Sequence, residues 1–453
     1  MQHRNRRDIS GLFTIPGHPE PDVAVRVARR VVQIQRQHSG IAAIVPIATA
    51  KEATQAHNNR ITISSILLIV KAARSQFDNI VSLETLFMAH KKAIKGKRNN
   101  RTATAFDANL AGELLLLQTE LVDGTYRPHA YRKKVIREPK VRLIEAPAYR
   151  DRIVHHALHE TLGKLYERHF IPDSFACRPG RGIHQAADRV QHFLRSGGPG
   201  IYVCKLDISK YYASINHGRL MELLRTKIDD ERTINLLQVI IDSTDSGDEH
   251  AELFASDSHY FTKGRRGIPI GNLTSQLFAN VYLHHVDMYA KHQLKIRHYV
   301  RYMDDILFFH HDKAQLQTWR VAMAAFLYDD LYLTINPHKV RVYPSRVGVD
   351  FVGYVLHPHY KRLRGSSVRR FKKKYRKQLV AVMRGHMDPE AMRESFASWE
   401  AHAKHAKSAR LRAHLRDWQN DYLFVLALHR AIRRQRRALN APIQLSLFDT
   451  DEV

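Results

Sequence analysis

The chain contains few cysteines and no long run of apolar residues. The 453 residues include 2 cysteines, Cys177 and Cys204, at positions that form no paired motif. A disulfide framework and a thiolate zinc site are therefore not expected, and a reducing cytoplasm is the expected location. The most apolar segment, Ile61–Val70, is interrupted by hydroxyl side chains and is far shorter than the roughly 20 residues of a membrane helix. The sequence therefore predicts no membrane association.

Acidic residues are fewer than basic residues. Lys and Arg number 72 against 44 Asp and Glu, which gives a formal net charge of +28. The excess extends from Arg4 to Arg437, whereas the last residues are acidic. A solvated basic surface is one explanation, but a charge of this size and spread favours a polyanionic partner, with nucleic acid the first choice.

Histidine is abundant, but its spacing does not indicate a metal site. The 29 histidines are scattered, and the pairs His284-His285 and His310-His311 lack a carboxylate or thiolate partner at ligand spacing. A histidine-based metal site is therefore not expected.

The hydrophobic periodicity predicts helices and strands in separate blocks. Apolar residues recur at helical spacing over Leu83–Ile94, over Ala108–Leu121 and over residues 151–168, and a two-stranded ribbon is expected over Tyr126–Pro147. A strand is expected over Tyr202–Leu206. Beyond Arg369 the composition is basic and helical. The pattern indicates an α+β fold.

Two neighbouring carboxylates lie between apolar strands. Tyr302-Met303-Asp304-Asp305 separates Tyr299-Val300 from Ile306–Phe309 and predicts a strand–turn–strand hairpin. At ~4 Å, two such charges repel by about 4 kcal/mol at an effective dielectric constant near 20. An Asp-rich surface turn is the alternative, but a buried hairpin would need a cation to offset this repulsion.

A third carboxylate, Asp207, follows the strand Tyr202–Leu206 and precedes the pair Tyr211-Tyr212. Magnesium prefers carboxylate oxygens together with substrate phosphates, and nucleotidyl transfer uses two such ions. Asp207, Asp304 and Asp305 are therefore predicted to hold two Mg²⁺ ions, for which Mn²⁺ is the expected substitute.

Three short motifs resemble those of reverse transcriptases, and the resemblance extends over roughly residues 80 to 410. They are the Tyr-Met-Asp-Asp box, the Asp207 box, in which a strand ends on Asp and an aromatic residue follows four positions later, and the Gly271–Gln276 box. The resemblance implies a right-hand polymerase with fingers, an antiparallel palm sheet and a helical thumb. The domain boundaries expected on this basis are 1–78 for an N-terminal extension of unknown role, 79–200 for the fingers, 201–365 for the palm with an inserted helical segment at 220–260, 366–440 for the thumb and 441–453 for an acidic tail.

The resemblance also implies roles for single residues. Asp207, Asp304 and Asp305 would be catalytic metal ligands, and the metal site would include Ile208. Tyr212 would exclude a ribonucleotide 2′-hydroxyl, although ordinary core packing is the alternative. Arg142 would bind the triphosphate, and the alternative is a solvated charge on the hairpin. Lys339 would protonate the leaving pyrophosphate, and the alternative is a simple phosphate contact. Ile270, Gly271 and Gln276 would line the nucleotide pocket. Phe351–Tyr354 resembles the primer-grip turn.

The subgroup resemblance rests on the Gly271 box. Ile270 stands where retroviral and most group II intron enzymes have Gln, and Gln276 stands where they have Pro. This Ile-Gly-x-x-x-Ser-Gln pattern is similar to reverse transcriptases of diversity-generating retroelements, which are related to group II intron and retron enzymes. The resemblance implies adenine-mutagenic copying of a template-repeat RNA in a bacterial or phage-infected cell. Partners would be the RNA template, the RNA/DNA duplex, dNTPs and a small basic helical accessory protein.

Two alternatives stay open from the sequence. One is a retron-type or phage-defence reverse transcriptase with the same palm. The other is a non-catalytic RNA-binding protein that keeps the polymerase fold.

Overall fold

The computed structural model describes residues 75–97, 100–136, 142–244 and 264–417, together with positions 420, 431, 434 and 435. These residues belong to one compact unit, Arg74–Val453. Most of the expected N-terminal extension, the end of the expected palm insertion, much of the C-terminal part of the expected thumb and the acidic tail lie outside the described residues. Within the described part of the chain, no helix has the length and apolar character needed to cross a membrane.

The first described part is a helical layer with a ribbon. Its elements are α1 (Gln76–Val81), α2 (Leu83–Ile94), α3 (Arg101–Ala108), α4 (Leu110–Val122), β1 (Arg132–Ile136), β2 (Arg142–Ala146) and α5 (Tyr149–Glu167). Helix starts are fixed by side-chain caps, since Ser82 accepts from the Thr85 N–H and Asn100 accepts from the Thr102 N–H. The apolar faces of these helices pack together, with α2 and α1 against α5. These elements confirm the predicted helices and ribbon.

A four-stranded antiparallel sheet lies at the centre of the described structure, with the order β4-β5-β3-β6. Its strands are β3 (Tyr202–Asp207), β4 (His298–Tyr302), β5 (Asp305–His310) and β6 (Arg341–Pro344). Side chains of successive residues in β3 pack into two different hydrophobic cores. Cys204 and Leu206 belong to the core that includes α5, whereas Val203 belongs to a second core. Because apolar side chains leave both faces of the sheet, its strands are held in register from two sides.

The helices around this sheet cover its two faces. They are α6 (Ile183–Gly197), α7 (Tyr211–Ser214), α8 (His217–Arg225), α9 (Glu231–Asp242), α10 (Leu273–Met288) with a π-helical end (Tyr289–Gln293), and α11 (Lys313–Asp329). Helix α11 packs on β3 and β5, and α6 packs on β4. Helix α9 and most of α8 fall within the predicted helical insertion at 220–260, although α8 begins before it, at His217.

The last described part combines a small sheet with two helices. Its elements are a 3-10 turn (Ser345–Val347), β7 (Val349–Phe351), β8 (Tyr354–Leu356), β9 (Lys361–Leu363), α12 (Gly365–Met383) and α13 (Pro389–Ala403). Helix α12 buries Phe371, Tyr375 and Leu379 against α13, and most of its exposed positions carry Lys or Arg. This arrangement confirms the predicted basic helical segment after Arg369, and the whole confirms a mixed helix and sheet fold.

Candidate active site

The central sheet brings the predicted carboxylates to one edge. Asp207 is the last residue of β3 and lies directly opposite Asp305, the first residue of β5. Tyr302 pairs with Asp305, so the turn between β4 and β5 consists of Met303 and Asp304. The turn is therefore tighter than the Tyr302–Asp305 turn expected from the sequence. Met303 takes the left-handed conformation, with φ of 54°, which a two-residue hairpin turn requires.

The carboxylates interact electrostatically. Burial raises the pKa of the Asp304 carboxyl from 3.8 to about 6, with further upward contributions from the charges of Asp305 and Asp207 and an opposing one from Lys339. The Asp207 residue is 7% exposed, so solvent screens its charge poorly. The site therefore carries negative charge that the protein compensates in part.

Two lysines supply this partial compensation. The Lys339 ammonium forms an ion pair with Asp207, and the Lys205 Nζ lies 3.5 Å from the Asp305 Oδ1. The backbone places Lys339 here, because the Asn336 N–H donates to the Asp207 carbonyl at 2.7 Å and the Lys339 N–H donates to the Asn336 carbonyl. Sequence reasoning found Lys339 and missed Lys205, whose signal is a charge inside the otherwise apolar run of β3.

The chemistry of these donors fits a divalent cation, but their arrangement is not a preformed metal cage. Three carboxylates interact closely enough to raise the Asp304 pKa, and a hard cation would relieve this repulsion. Among the described residues, no group of three or more His, Cys, Asp or Glu side chains is positioned to hold a metal ion. The predicted pair of Mg²⁺ ions therefore stays a prediction.

Ile208 follows Asp207 and is buried against a neighbouring extended segment. It forms an isolated antiparallel bridge with Ile335, made by the Ser209 N–H to the Thr334 carbonyl and by the Asn336 N–H to the Asp207 carbonyl. This pattern uses the peptide groups on either side of Ile208 and leaves its own carbonyl pointing away from Ile335. The Ile208 carbonyl is therefore not used by this bridge, and its role as a backbone metal ligand stays a prediction.

Tyr212 and Arg142 interact electrostatically. Burial raises the pKa of the half-buried Tyr212 phenol, and the charges of Cys177, Asp304 and Arg142 also act on it. Arg142 is exposed at the start of β2, opposite Ile136. The structure therefore brings the predicted triphosphate-binding arginine and the predicted gate residue within electrostatic reach of each other.

The Gly271 box is joined to the ribbon by backbone contacts. The Glu145 N–H donates to the Ile270 carbonyl at 3.0 Å, and a Cβ added to Gly271 would lie 2.9 Å from the Glu145 carbonyl oxygen. Gly271 also has a φ of +137°, so glycine is required by both space and backbone conformation. Gln276 is half-buried in the first turn of α10, which begins two residues after Gly271.

The predicted primer-grip segment is a tight hairpin. Val352 and Gly353 form the two-residue turn between β7 and β8, with φ values of 43° and 90°. The Tyr302 ring meets the Phe351 ring edge-on at 6.5 Å between centroids. The turn is thus packed beside the carboxylate hairpin.

Comparison with known proteins identifies the fold of this site. The family described as reverse transcriptase (RNA-dependent DNA polymerase) matches residues 131–356, a range that contains both carboxylate strands and the Gly271 box. The chain contains a reverse transcriptase domain. The prediction of an RNA-directed DNA polymerase is confirmed at this level.

Two of the curated relatives that match this chain are bacterial proteins. The chain is 29% identical to Protein YkfC of Escherichia coli over 56% of its own length and 73% of that protein. It is 29% identical to the group II intron-encoded protein LtrA of Lactococcus lactis over 39% of its own length, but spans 28% of LtrA. These relatives support homology to group II intron-encoded proteins.

Solved telomerase structures are more distant. The apo telomerase of Candida tropicalis truncated from its C-terminal domain is 14% identical with a TM-score of 0.38, covering 52% of this chain and 55% of that one. Candida albicans telomerase in complex with a telomeric RNA fragment is 12% identical with a TM-score of 0.36, covering 56% and 51%. At these scores the likeness carries no conclusion about this chain.

Proposed function

We propose that this protein copies an RNA template into DNA at the edge formed by Asp207, Asp304 and Asp305. The observation that carries the proposal is the β3–β5 register, which sets Asp207 opposite Asp305 and leaves Asp304 in the adjoining turn. A polymerase needs several carboxylates at the place where the primer hydroxyl attacks the nucleotide triphosphate, because they hold the two metal ions of that reaction.

The chain's own residues account for the expected steps. Two Mg²⁺ ions, or Mn²⁺ in their place, would supply the positive charge that polarises the reacting phosphate when held by the three carboxylates and the Ile208 carbonyl. Lys339, which pairs with Asp207 in this structure, would neutralise or protonate the leaving pyrophosphate. Arg142 offers a guanidinium fork to the triphosphate.

Selectivity for deoxynucleotides is assigned to Tyr212. Its half-buried ring lies within electrostatic reach of Arg142 and Asp304, the residues proposed to contact the triphosphate and the metal ions of the nucleotide. A bulky ring at this place would collide with a ribose 2′-hydroxyl and admit deoxyribose.

The template and the RNA/DNA duplex are proposed to run along the basic side of α12. Its exposed positions carry Arg369, Arg370, Lys373 and Lys374, while its apolar residues face α13. Contacts of this type release counterions, so affinity should fall with salt by close to one unit of log slope per phosphate contact.

Primer extension tests the polymerase proposal. The full chain should incorporate dNTPs on a primed RNA template with Mg²⁺, and Asp304→Ala should abolish incorporation while retaining RNA binding. Asp329→Asn is the matched control, since Asp329 is an exposed carboxylate at the end of α11. Absence of incorporation by the unmodified chain, with RNA binding intact, would favour the non-catalytic RNA-binding alternative.

We further propose the adenine-mutagenic activity of a diversity-generating retroelement. The backbone of the half-buried Ile270 is fixed by its hydrogen bond from Glu145, and its side chain has no polar group to constrain a nucleotide. Sequencing cDNA made from a defined template should show errors concentrated at template adenines, and Ile270→Gln should reduce them. Adenine fidelity equal to that of the other bases would contradict this role.

The retron-type or phage-defence alternative shares this palm, and the named relatives are equally consistent with it. RNA recovered with the protein from its own host separates the two. A template repeat paired with a variable repeat in a neighbouring gene supports the retroelement, along with a small basic helical partner, whereas a structured RNA that primes its own copying supports the retron.

A further inference from the structure

A buried ion pair lies directly beneath the carboxylate hairpin. Arg301 precedes Tyr302 in β4, and its guanidinium pairs with the Asp287 carboxylate of α10. Both side chains are 0% exposed. A charge pair this deeply buried requires the full complement of hydrogen bonds to be tolerated.

The Arg301 guanidinium uses all five of its N–H donors. Nε and Nη2 bind the two Asp287 carboxylate oxygens at 2.7 Å each. Nη2 also donates to the Ser174 Oγ at 2.9 Å, while Nη1 donates to the Asn280 Oδ1 at 3.2 Å and to the Met303 carbonyl at 3.3 Å. Asp287 is held in turn by the Tyr299 hydroxyl at 2.7 Å. The network is therefore complete, and it ends on the hairpin turn.

The Arg301 backbone ties the same hairpin to a third element. Its N–H donates to the Asp173 carbonyl at 2.9 Å, and its carbonyl accepts from the Phe175 N–H at 3.1 Å. Asn280 extends this link by donating to the Ala176 carbonyl at 2.9 Å. Three parts of the chain thus converge on one residue: α10, the segment Asp173–Ala176 and the carboxylate hairpin.

The hydrogen bond from Arg301 to the Met303 carbonyl links the buried ion pair to the carboxylate site. Met303 is a non-glycine residue in the left-handed conformation, and it immediately precedes Asp304. Such a conformation persists only where surrounding contacts hold it. Replacement of a buried ion pair by packed apolar side chains is often neutral for stability. What an apolar pair cannot reproduce here is the hydrogen bond that Arg301 donates to the Met303 carbonyl.

We propose that Arg301 and Asp287 are positioning residues that hold the Met303–Asp304 turn, and with it the carboxylates, in the arrangement that accepts divalent cations. This inference rests on the proposed function for the identity of the site. It concerns residues that touch neither nucleotide nor cation and act through the turn.

The test compares three variants of the full chain. Arg301→Lys keeps the charge and removes the planar fork, which five separate contacts require. The double variant Arg301→Met with Asp287→Leu replaces the pair by apolar side chains and leaves no buried charge unpaired. Arg178→Lys is the matched control, because Arg178 is a buried arginine that donates hydrogen bonds to Glu167 and to the Ile171 and Ser174 carbonyls. It shares Ser174 with the Arg301 network, but none of these hydrogen bonds goes to Met303 or Asp304, so the variant perturbs the same region without releasing the turn.

Three readouts separate positioning from structural support: the thermal midpoint, Mn²⁺ affinity measured by electron paramagnetic resonance without nucleotide, and kcat and KM for primer extension. We expect the double variant to melt below the unmodified chain, because the Ser174, Asn280, Met303 and Tyr299 groups lose their hydrogen-bond partner. It should also lose about tenfold in Mn²⁺ affinity and in kcat at unchanged KM for primer–template. Arg301→Lys should show the same losses at a lower midpoint. Arg178→Lys should lower the midpoint with Mn²⁺ affinity intact.

The inference is overturned if the double variant retains Mn²⁺ affinity within twofold, or if Arg178→Lys loses as much of it as Arg301→Lys at an equal midpoint. Absence of primer extension by the unmodified chain overturns the proposed function instead. The Mn²⁺ comparison still decides the positioning role in that case, since it requires no turnover.

Discussion

Replacing Asp304 by Asn should stabilise the protein in the absence of divalent cations. Burial and neighbouring carboxylates raise the folded-state pKa of Asp304 from 3.8 to about 6. A carboxyl whose pKa is raised on folding contributes stability below its unfolded pKa and loses it as the pH rises through the folded pKa. At about 1.4 kcal/mol per pKa unit, the ionised side chain costs the fold up to about 3 kcal/mol at pH 8.

Asn matches the neutral acid in shape and has no charge to lose. The stability gain of Asp304→Asn should therefore reach about 2–3 kcal/mol at pH 8 in chelator and should shrink to near zero below about pH 4. Urea unfolding at a series of pH values measures both ends of this range. Asp329→Asn, at an exposed carboxylate, should show no such pH-dependent gain.

Adding Mg²⁺ should remove the advantage of the variant. A cation bound among the three carboxylates favours the ionised form of Asp304 and therefore stabilises the unmodified chain more than Asp304→Asn. A gain that is absent at pH 8, or one that is equal at pH 4 and pH 8, would refute the electrostatic reasoning.

Three other changes test separate parts of the site. Gly271→Ala should destabilise the fold by about 1–3 kcal/mol more than Gly124→Ala in urea unfolding, because both positions have positive φ but only Gly271 has a carbonyl oxygen within 3 Å of the added Cβ. Equal losses would show that the approach of Glu145 is unimportant. Tyr212→Val should raise ribonucleotide incorporation at least tenfold relative to deoxynucleotides, and unchanged selectivity in a competition assay would reassign Tyr212 to the core. Lys339→Ala should slow single-turnover incorporation at least tenfold with primer–template affinity retained, whereas an unchanged rate would exclude both of its proposed roles.

Local pattern was enough to place the carboxylates. The apolar run before Asp207 and the two runs that flank Tyr302–Asp305 predict three strands, and the structure contains β3, β4 and β5 at these places. Their meeting at one sheet edge followed from the family resemblance. The register that sets Asp207 opposite Asp305 needed the structure.

Contacts between distant segments could not be read from the sequence. Arg301 in an apolar strand indicates that a buried partner is required, but nothing in the spacing selects Asp287 over other acids. The approach of Gly271 to Glu145 likewise depends on how the ribbon folds onto the start of α10. Lys205 went unrecognised because a single lysine in a strand is most often solvated, whereas here the antiparallel register brings it to Asp305.

Cleavage of the polypeptide by bound iron tests most directly whether Asp207, Asp304 and Asp305 form one cation site. Fe²⁺ substituted for Mg²⁺ generates radicals that cut the backbone beside its ligands. We predict two cuts, one next to Asp207 and one at Asp304–Asp305, both suppressed by excess Mg²⁺ and both lost in Asp304→Asn. Cuts confined to other segments, or cuts at these two places that persist in the variant, would contradict the account.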